Sequence, residues 1–457
     1  MGKWKFILAV TLIIALAISL RIYSFVFPHD HGDQIIYAAL AQNIADSKPY
    51  NIWSIKIVKT NFLNLHFLSY KPCTNLNLSI GNAFKKGGIN IYEKKLFYRP
   101  PLFPFLIQST KNVDCNQHIF SFELPIMRHS KRPDIFFKFW IKKQSLKNLS
   151  FITKKQLPIA LPPFIGSMLI LAGIIYLANF LFDKYIALWA GFIAAFSPVD
   201  IFCASRVLPD SLLTAFIFWL FIFIIISFKN KNKFFLIPAF FFTALAIAVK
   251  ETSVPIITGV LLISSYKNKN KRILLTLAAF AFLCIGVWCL ILKINNGYWL
   301  PAAWKFNLNI ANLNWFKNNN INASTALWYK LTTQRSKFFH FYMPFILYPV
   351  LLFSLIYYID ILKKEKVWQN YIVIVPLITL VIITLLQAKE FRQIMPAYPF
   401  FIIASACGLE KLRKKINVNF QPIAGFVIIL FIIIAVGIYA FSKISPSLFG
   451  NAGDIFI

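Results

Sequence analysis

The 22 residues from Phe6 to Phe27 carry a single charged side chain, Arg21. As a helix, a run of that length crosses the ~30 Å hydrocarbon core of a bilayer. Comparable apolar runs begin near Pro158, Ile186, Leu208, Phe234, Ser253, Ile273, Phe341, Tyr371, Ile394 and Pro422. Lipid offers no hydrogen-bond partners, so backbone that crosses it must be helical or closed into a barrel, and runs near twenty residues have the helical length. The expectation is an all-α polytopic membrane protein with about eleven transmembrane helices. A chain that is 58% hydrophobic and only 14% charged, with mean hydropathy +0.65, is too apolar for a soluble domain. The first run is too long for the apolar region of a signal peptide and no small-residue cleavage site follows it, so it reads as a retained span.

Topology follows from the cations. The net charge of +32 arises from 48 Lys+Arg against 16 Asp+Glu. Clusters at Lys3 and Lys5, Lys184, Lys229 to Lys233, Lys267 to Arg272, Lys363 to Lys366 and Lys411 to Lys415 alternate onto one side of the expected spans. That is the pattern of cytoplasmic loops and of contact with anionic lipid, rather than of a nucleic-acid binder. Two large extracytoplasmic loops result, and the chain divides into a first helix (1–27), a first loop (28–157), a helical bundle (158–293), a second loop (294–340) and a C-terminal bundle (341–457). The multi-pass protein is expected in the cell (plasma) membrane. No internal repeat is evident, which argues against a secondary transporter. Cys73 and Cys115 share the first loop and would be able to pair outside the cell. The sequons at Asn77, Asn148 and Asn322 have meaning only in a glycosylating host.

The remaining charges gather elsewhere. Asp33, Arg99, Asp200, Arg206, Asp210, Lys250, Glu251, Lys389, Glu390 and Arg392 all fall at the outer ends of spans, where ionisable groups are costly unless paired or functional. For any one of them an interfacial anchor or an inter-helix salt bridge suffices. The set, gathered on one face of a chain short of acids, favours a site.

From "HDHGDQIIYAAL" an amphipathic helix is expected, with Ile36, Leu40 and Ile44 on its apolar face and Asp33 and Tyr37 on another. Asp33 is then either the helix N-cap or a catalytic carboxylate. A divalent metal held by His29, Asp30, His31 and Asp33 is a third reading, although such close spacing rarely gives good geometry. In "YRPPLFPF" two prolines hold Arg99 at the membrane surface, ready to grip a phosphate or only a lipid headgroup. "SPVDIFCASRVLPDSLLTAF" reads as a tight connection, with Pro209 in the first turn of a helix and Asp210 near its start. "AVKETSVP" and "QAKEFRQIMPAYP" add Lys250, Lys389 and Arg392. Cations to hold a leaving phosphate and an acid to deprotonate an attacking hydroxyl make up one recognisable chemistry.

This order of motifs resembles that of the GT-C class of polyprenyl-phosphate-dependent glycosyltransferases. Within the class it is similar to family 39, the protein O-mannosyltransferases, the lipid A aminoarabinose transferase and their prokaryotic relatives. The resemblance rests on Arg21 ending the first span, Asp33, Tyr37 and Ala38 opening an interfacial helix, Arg99 in "RPPL", "SPVDIFCASRVLPD", Lys250, and a late basic residue with Arg392 in "KEFRQIMPAYP". It implies a GT-C fold, a donor sugar on a polyprenyl phosphate such as dolichyl phosphate mannose, and inversion at the anomeric carbon. It also implies Asp33 as general base, with Arg99, Lys250, Lys389 and Arg392 at the phosphate. Tyr37, Arg206, Asp210 and Glu251 would support them, and the acceptor would be a protein, lipid or glycan outside the cell. Gln34 stands where the family has a second acid, so no metal or cofactor is assigned and metal use is left open. The basic stretch 110–155 looks like an insertion. The absence of a Trp-Trp-Asp-Tyr-Gly motif and of a large C-terminal soluble domain argues against an oligosaccharyltransferase. A flippase for an anionic lipid or glycan, a glycan polymerase or ligase, and a structural scaffold are the rival readings.

Overall fold

The computed structural model describes residues 2–24, 100–110, 157–265, 271–296, 348–361, 370–385 and 391–417, three strands between residues 56 and 123, and the single residues Tyr37, Leu40, Ala41, Ile44, Trp299 and Phe345. The elements are α1 (Lys3–Ser24), β1 (Lys56–Thr60), β2 (Asn64–Leu68), α2 (Leu102–Thr110), β3 (Phe120–Glu123), α3 (Leu157–Leu181), α4 (Lys184–Ala195), α5 (Pro198–Ala204), α6 (Asp210–Asn230), α7 (Leu236–Val249), α8 (Ser253–Ser265), α9 (Lys271–Asn296), α10 (Ser354–Ile361), α11 (Tyr371–Leu385) and α12 (Tyr398–Asn417). Short 3-10 turns lead into α7, α10 and α12.

Among the described residues four helices, α1, α3, α6 and α9, are long and apolar enough to cross a membrane. The run expected from Ile186 is broken: α4 and α5 meet at 58°. Pro198 sits at the first turn of α5 and ends the preceding hydrogen-bond ladder, so the tight connection expected there contains a helix of its own. Asp183 starts α4, its carboxylate accepting from the backbone N–H of Tyr185 (2.8 Å) and Ile186 (2.9 Å), which settles two of the donors a helix start leaves open. The run from Pro422, the Cys73 and Cys115 positions and most of the two large loops lie outside the described residues.

α6 is the axis of the bundle. In its span 83% of the residues are buried, against 17% for α1 at the periphery, and it packs on α3 and α7. A helix apolar all round belongs in the interior. Gly166 lets α3 cross α6 closely: a Cβ there would lie 2.6 Å from the Cα and N of Leu212 on α6. Lys184, Lys229 and Arg413 gather at one end of the bundle, over the rings of Phe6, Phe180 and Tyr185. Since α6 runs from Asp210 to Asn230, the acid at its start belongs to the opposite end, as the alternation of basic clusters requires.

Within the first loop, β1, β2 and β3 form an antiparallel sheet in that order, with Val58 opposite His66 and Leu65 opposite Phe122. The stretch 110–155 thus contributes a strand to a sheet begun before it. Tyr37, Leu40, Ala41 and Ile44 are helical. Tyr37 and Leu40 are both buried, so Tyr37 shares the packed face, as two residues three apart on a helix do; the expectation that it lay on another face is corrected. Its ring meets that of Phe103 on α2 edge-on, with centroids 5.1 Å apart.

Candidate active site

Asp210, in the first turn of α6, has its carboxylate divided between two cations. Oδ1 accepts from Lys250 Nζ at 3.0 Å, and Oδ2 accepts from Arg392 Nη1 at 3.1 Å. These partners lie 40 and 182 residues further along the chain. Lys250 closes α7, whose β-region C-cap turns the chain toward α8; Arg392 stands in the 3-10 turn Phe391–Ala397 that opens α12. All three side chains are buried. Asp210 makes no capping bond, since its residue is already helical and Pro209 holds the cap position. Asp210 is therefore not a helix cap but a bridge between three elements.

A second buried cluster closes the C-terminal end of α1. Arg21 pairs with Asp200 of α5, and Ser167 of α3 both accepts from Arg21 Nε and donates to Asp200 Oδ2 at 2.7 Å. Arg21 also donates to the carbonyl oxygens of Ala17, Ala195 and Ala194. A guanidinium has five N–H donors, and this one is fully enclosed by acceptors. Nearby, Arg206 lies over the ring of Phe202, its Cζ 3.3 Å from the centroid, and donates to the Phe202 carbonyl oxygen. Burial pushes its pKa well below the ordinary guanidinium value. Cys203 stands within electrostatic reach of Asp210, Arg392, Asp200 and Arg206, so the two clusters are neighbours at one end of the bundle.

Of the residues picked from the sequence, Asp210, Lys250 and Arg392 are brought into contact, Arg206 and Glu251 are buried beside them in the connecting turns, and Tyr37 packs on α2. Asp200 is committed to Arg21. Asp33, Arg99, Lys389 and the residues around the first acid, His29 to Gln34, lie outside the described residues. Among the described residues no three His, Cys, Asp or Glu side chains gather as a metal site would need. Sequence reasoning missed Ser167, because a serine within an apolar run carries no signal until its helix neighbours are known. It also missed Ser211, Thr214 and Ser253, whose buried hydroxyls have no hydrogen-bond partner among the described residues. Asp210 takes one N–H from each of the two cations, and so holds them side by side. A pair of buried cations pinned side by side is suited to a phosphate or another oxyanion.

A sequence profile of the Alg9-like mannosyltransferase family matches residues 134–448. The chain belongs to that family. It is thereby a GT-C protein, the class that the order of motifs resembles, and the matching family is the Alg9-like one. Among solved structures, ArnT from Cupriavidus metallidurans bound to undecaprenyl phosphate is similar in fold, with TM-score 0.55 and 13% identity over 92% of this chain and 63% of that one. The Archaeoglobus fulgidus oligosaccharyltransferase in complex with Zn and sulfate gives TM-score 0.53 and 14% identity, over 95% of this chain and 52% of that one. The archaeal oligosaccharyltransferase AglB, with an inhibitory peptide and a dolichol-phosphate, gives 0.51 and 12%, over 96% and 56%. The chain thus spans between half and two thirds of the length of these neighbours. No curated protein gives a significant match.

Proposed function

We propose that this membrane protein transfers a sugar from a polyprenyl-phosphate-linked donor to a protein, lipid or glycan acceptor on the extracytoplasmic side. The observation that carries this reading is the convergence of Asp210, Lys250 and Arg392, from three distant parts of the sequence, at one buried end of an apolar bundle. Lys250 and Arg392, with Arg99 and Lys389, stabilise the polyprenyl phosphate as it departs; Asp210 keeps the first two in register. Arg206, fixed on Phe202, completes the cationic wall. Asp33 deprotonates the acceptor for in-line attack on the anomeric carbon, with inversion. Tyr37 follows Asp33 by four residues in the sequence, and its contact with α2 leads back to Lys250, because α2 packs on α7. The matched family, and neighbours whose structures hold undecaprenyl phosphate and dolichol-phosphate, support a lipid-phosphate donor, with mannose the first sugar to try.

The test is transfer by membranes containing the protein, from labelled polyprenyl-phosphate mannose, wild type against Asp33→Asn. Loss of a general base costs about 10²- to 10⁴-fold in rate while donor binding survives. Full activity in the variant would return Asp33 to the role of a helix cap. Donor flipping without transfer in the wild type would favour a flippase.

A further inference from the structure

Glu251 is fully buried, yet among the described residues neither of its carboxylate oxygens has a hydrogen-bond partner. A buried carboxylate without donors is among the most costly groups a fold can carry, and native proteins keep one only where something else satisfies it. Its sequence neighbour Lys250 is engaged by Asp210, and Glu251 itself lies within electrostatic reach of Cys289 on α9, a thiol that supplies no countercharge. Two residues on, Ser253 opens α8 with its hydroxyl buried and also without a partner. The turn between α7 and α8 therefore sets a cation already in an ion pair beside a carboxylate and a hydroxyl that both want partners.

We infer that Glu251 accepts hydrogen bonds from hydroxyl groups of the transferred sugar, and so selects the donor. The assignment rests on the reading of Lys250 as a phosphate-binding residue. Lys250 and Glu251 are consecutive, with Cα atoms ~3.8 Å apart, so a phosphate held at Lys250 brings the sugar it carries to the turn that Glu251 occupies. A second phosphate or a uronic acid is repelled by Glu251, whereas a neutral sugar brings the O–H donors that its two oxygens lack. The class of donor is then a hydroxyl-rich neutral hexose, held by a charge-assisted bond that is stronger than a neutral one.

The experiment uses the full-length protein in lipid nanodiscs with polyprenyl-phosphate mannose and its 2-, 3-, 4- and 6-deoxy analogues. Glu251→Gln keeps the volume and removes the charge. Its kcat/KM for the parent donor is expected to fall about 10- to 100-fold, the range for a hydrogen bond to a charged group. For the deoxy donor that lacks the contacted hydroxyl, wild type and variant should be equally slow. Binding of sugar-free undecaprenyl phosphate should be the same in both, which shows that the variant is folded. An unchanged kcat/KM, or losses that add independently at every ring position, overturns the assignment. If Glu251→Gln does not fold, Glu251→Asp takes its place and must show the same dependence on one hydroxyl; without it the assignment falls. Failure of the underlying reading looks different: Lys250→Ala then binds sugar-free undecaprenyl phosphate as tightly as wild type, and the ground for placing a sugar at Glu251 goes with it.

Discussion

Arg21 and Asp210 are both buried ions in apolar surroundings, but their surroundings differ in a way that separates scaffold from site. Arg21 spends its donors on Asp200, Ser167 and three backbone carbonyls, an arrangement closed on itself. Removing one partner of such a pair typically costs about 3–5 kcal/mol, whereas replacing both by apolar residues is often nearly neutral. Arg21→Met should therefore lower the thermal unfolding temperature of the purified protein sharply, and adding Asp200→Leu should restore much of it. Donor KM should stay put in the double variant. Lys250→Ala and Arg392→Ala should behave the other way in steady-state kinetics. Each is expected to raise the donor KM and lower kcat/KM by about tenfold or more, because under the proposed function each makes a charge-assisted contact to phosphate.

Among the elements, the contact between α3 and α6 decides where the charged residues can meet. Gly166 lets the backbone of α3 touch that of α6 one residue before Ser167, which joins the Arg21 cluster, and two residues past Asp210, which opens the other. A methyl group at Gly166 would press on backbone atoms that cannot turn aside, so Gly166→Ala should cost about 1–3 kcal/mol and weaken transfer. Gly286, on α9, has nothing within 4 Å of the added carbon. There the same substitution is expected to leave thermal stability unchanged or raise it by about 0.5–1 kcal/mol, since alanine is the better helix former. Thermal unfolding of the two variants side by side checks both signs. The bend between α4 and α5 works at the same scale, turning Asp200 toward Arg21 and leaving Asp210 to α7 and the turn before α12.

For the molecule as a whole, a basic end and a site end are opposed along α6. The chain's excess of Lys and Arg makes the basic end a strong topological signal. In a variant whose native cysteines are replaced, a cysteine introduced at Lys231, in the turn after α6, should react with a membrane-impermeant maleimide only when the cytoplasmic face is opened. Reaction from outside intact cells would invert the topology and place the proposed site in the cytoplasm.

The membrane class was legible in the chain itself, and Asp210, Lys250 and Arg392 stood out there as charges at the edges of apolar runs. Hydrophobic length is a local property, and an ionisable residue at the edge of an apolar run stands out without any fold to explain it. The pairing of those charges was not legible. Asp200 and Asp210 occupy one short segment and have the same chemistry, yet one is spent on Arg21 and the other joins Lys250 and Arg392. Ser167 and Gly166 looked like ordinary residues of an apolar run, and Glu251 stood out only as a supporting charge with no partner named for it. Their meaning comes from which helix lies alongside and how closely, a matter of tertiary packing between residues far apart in sequence, and only the folded bundle decides it.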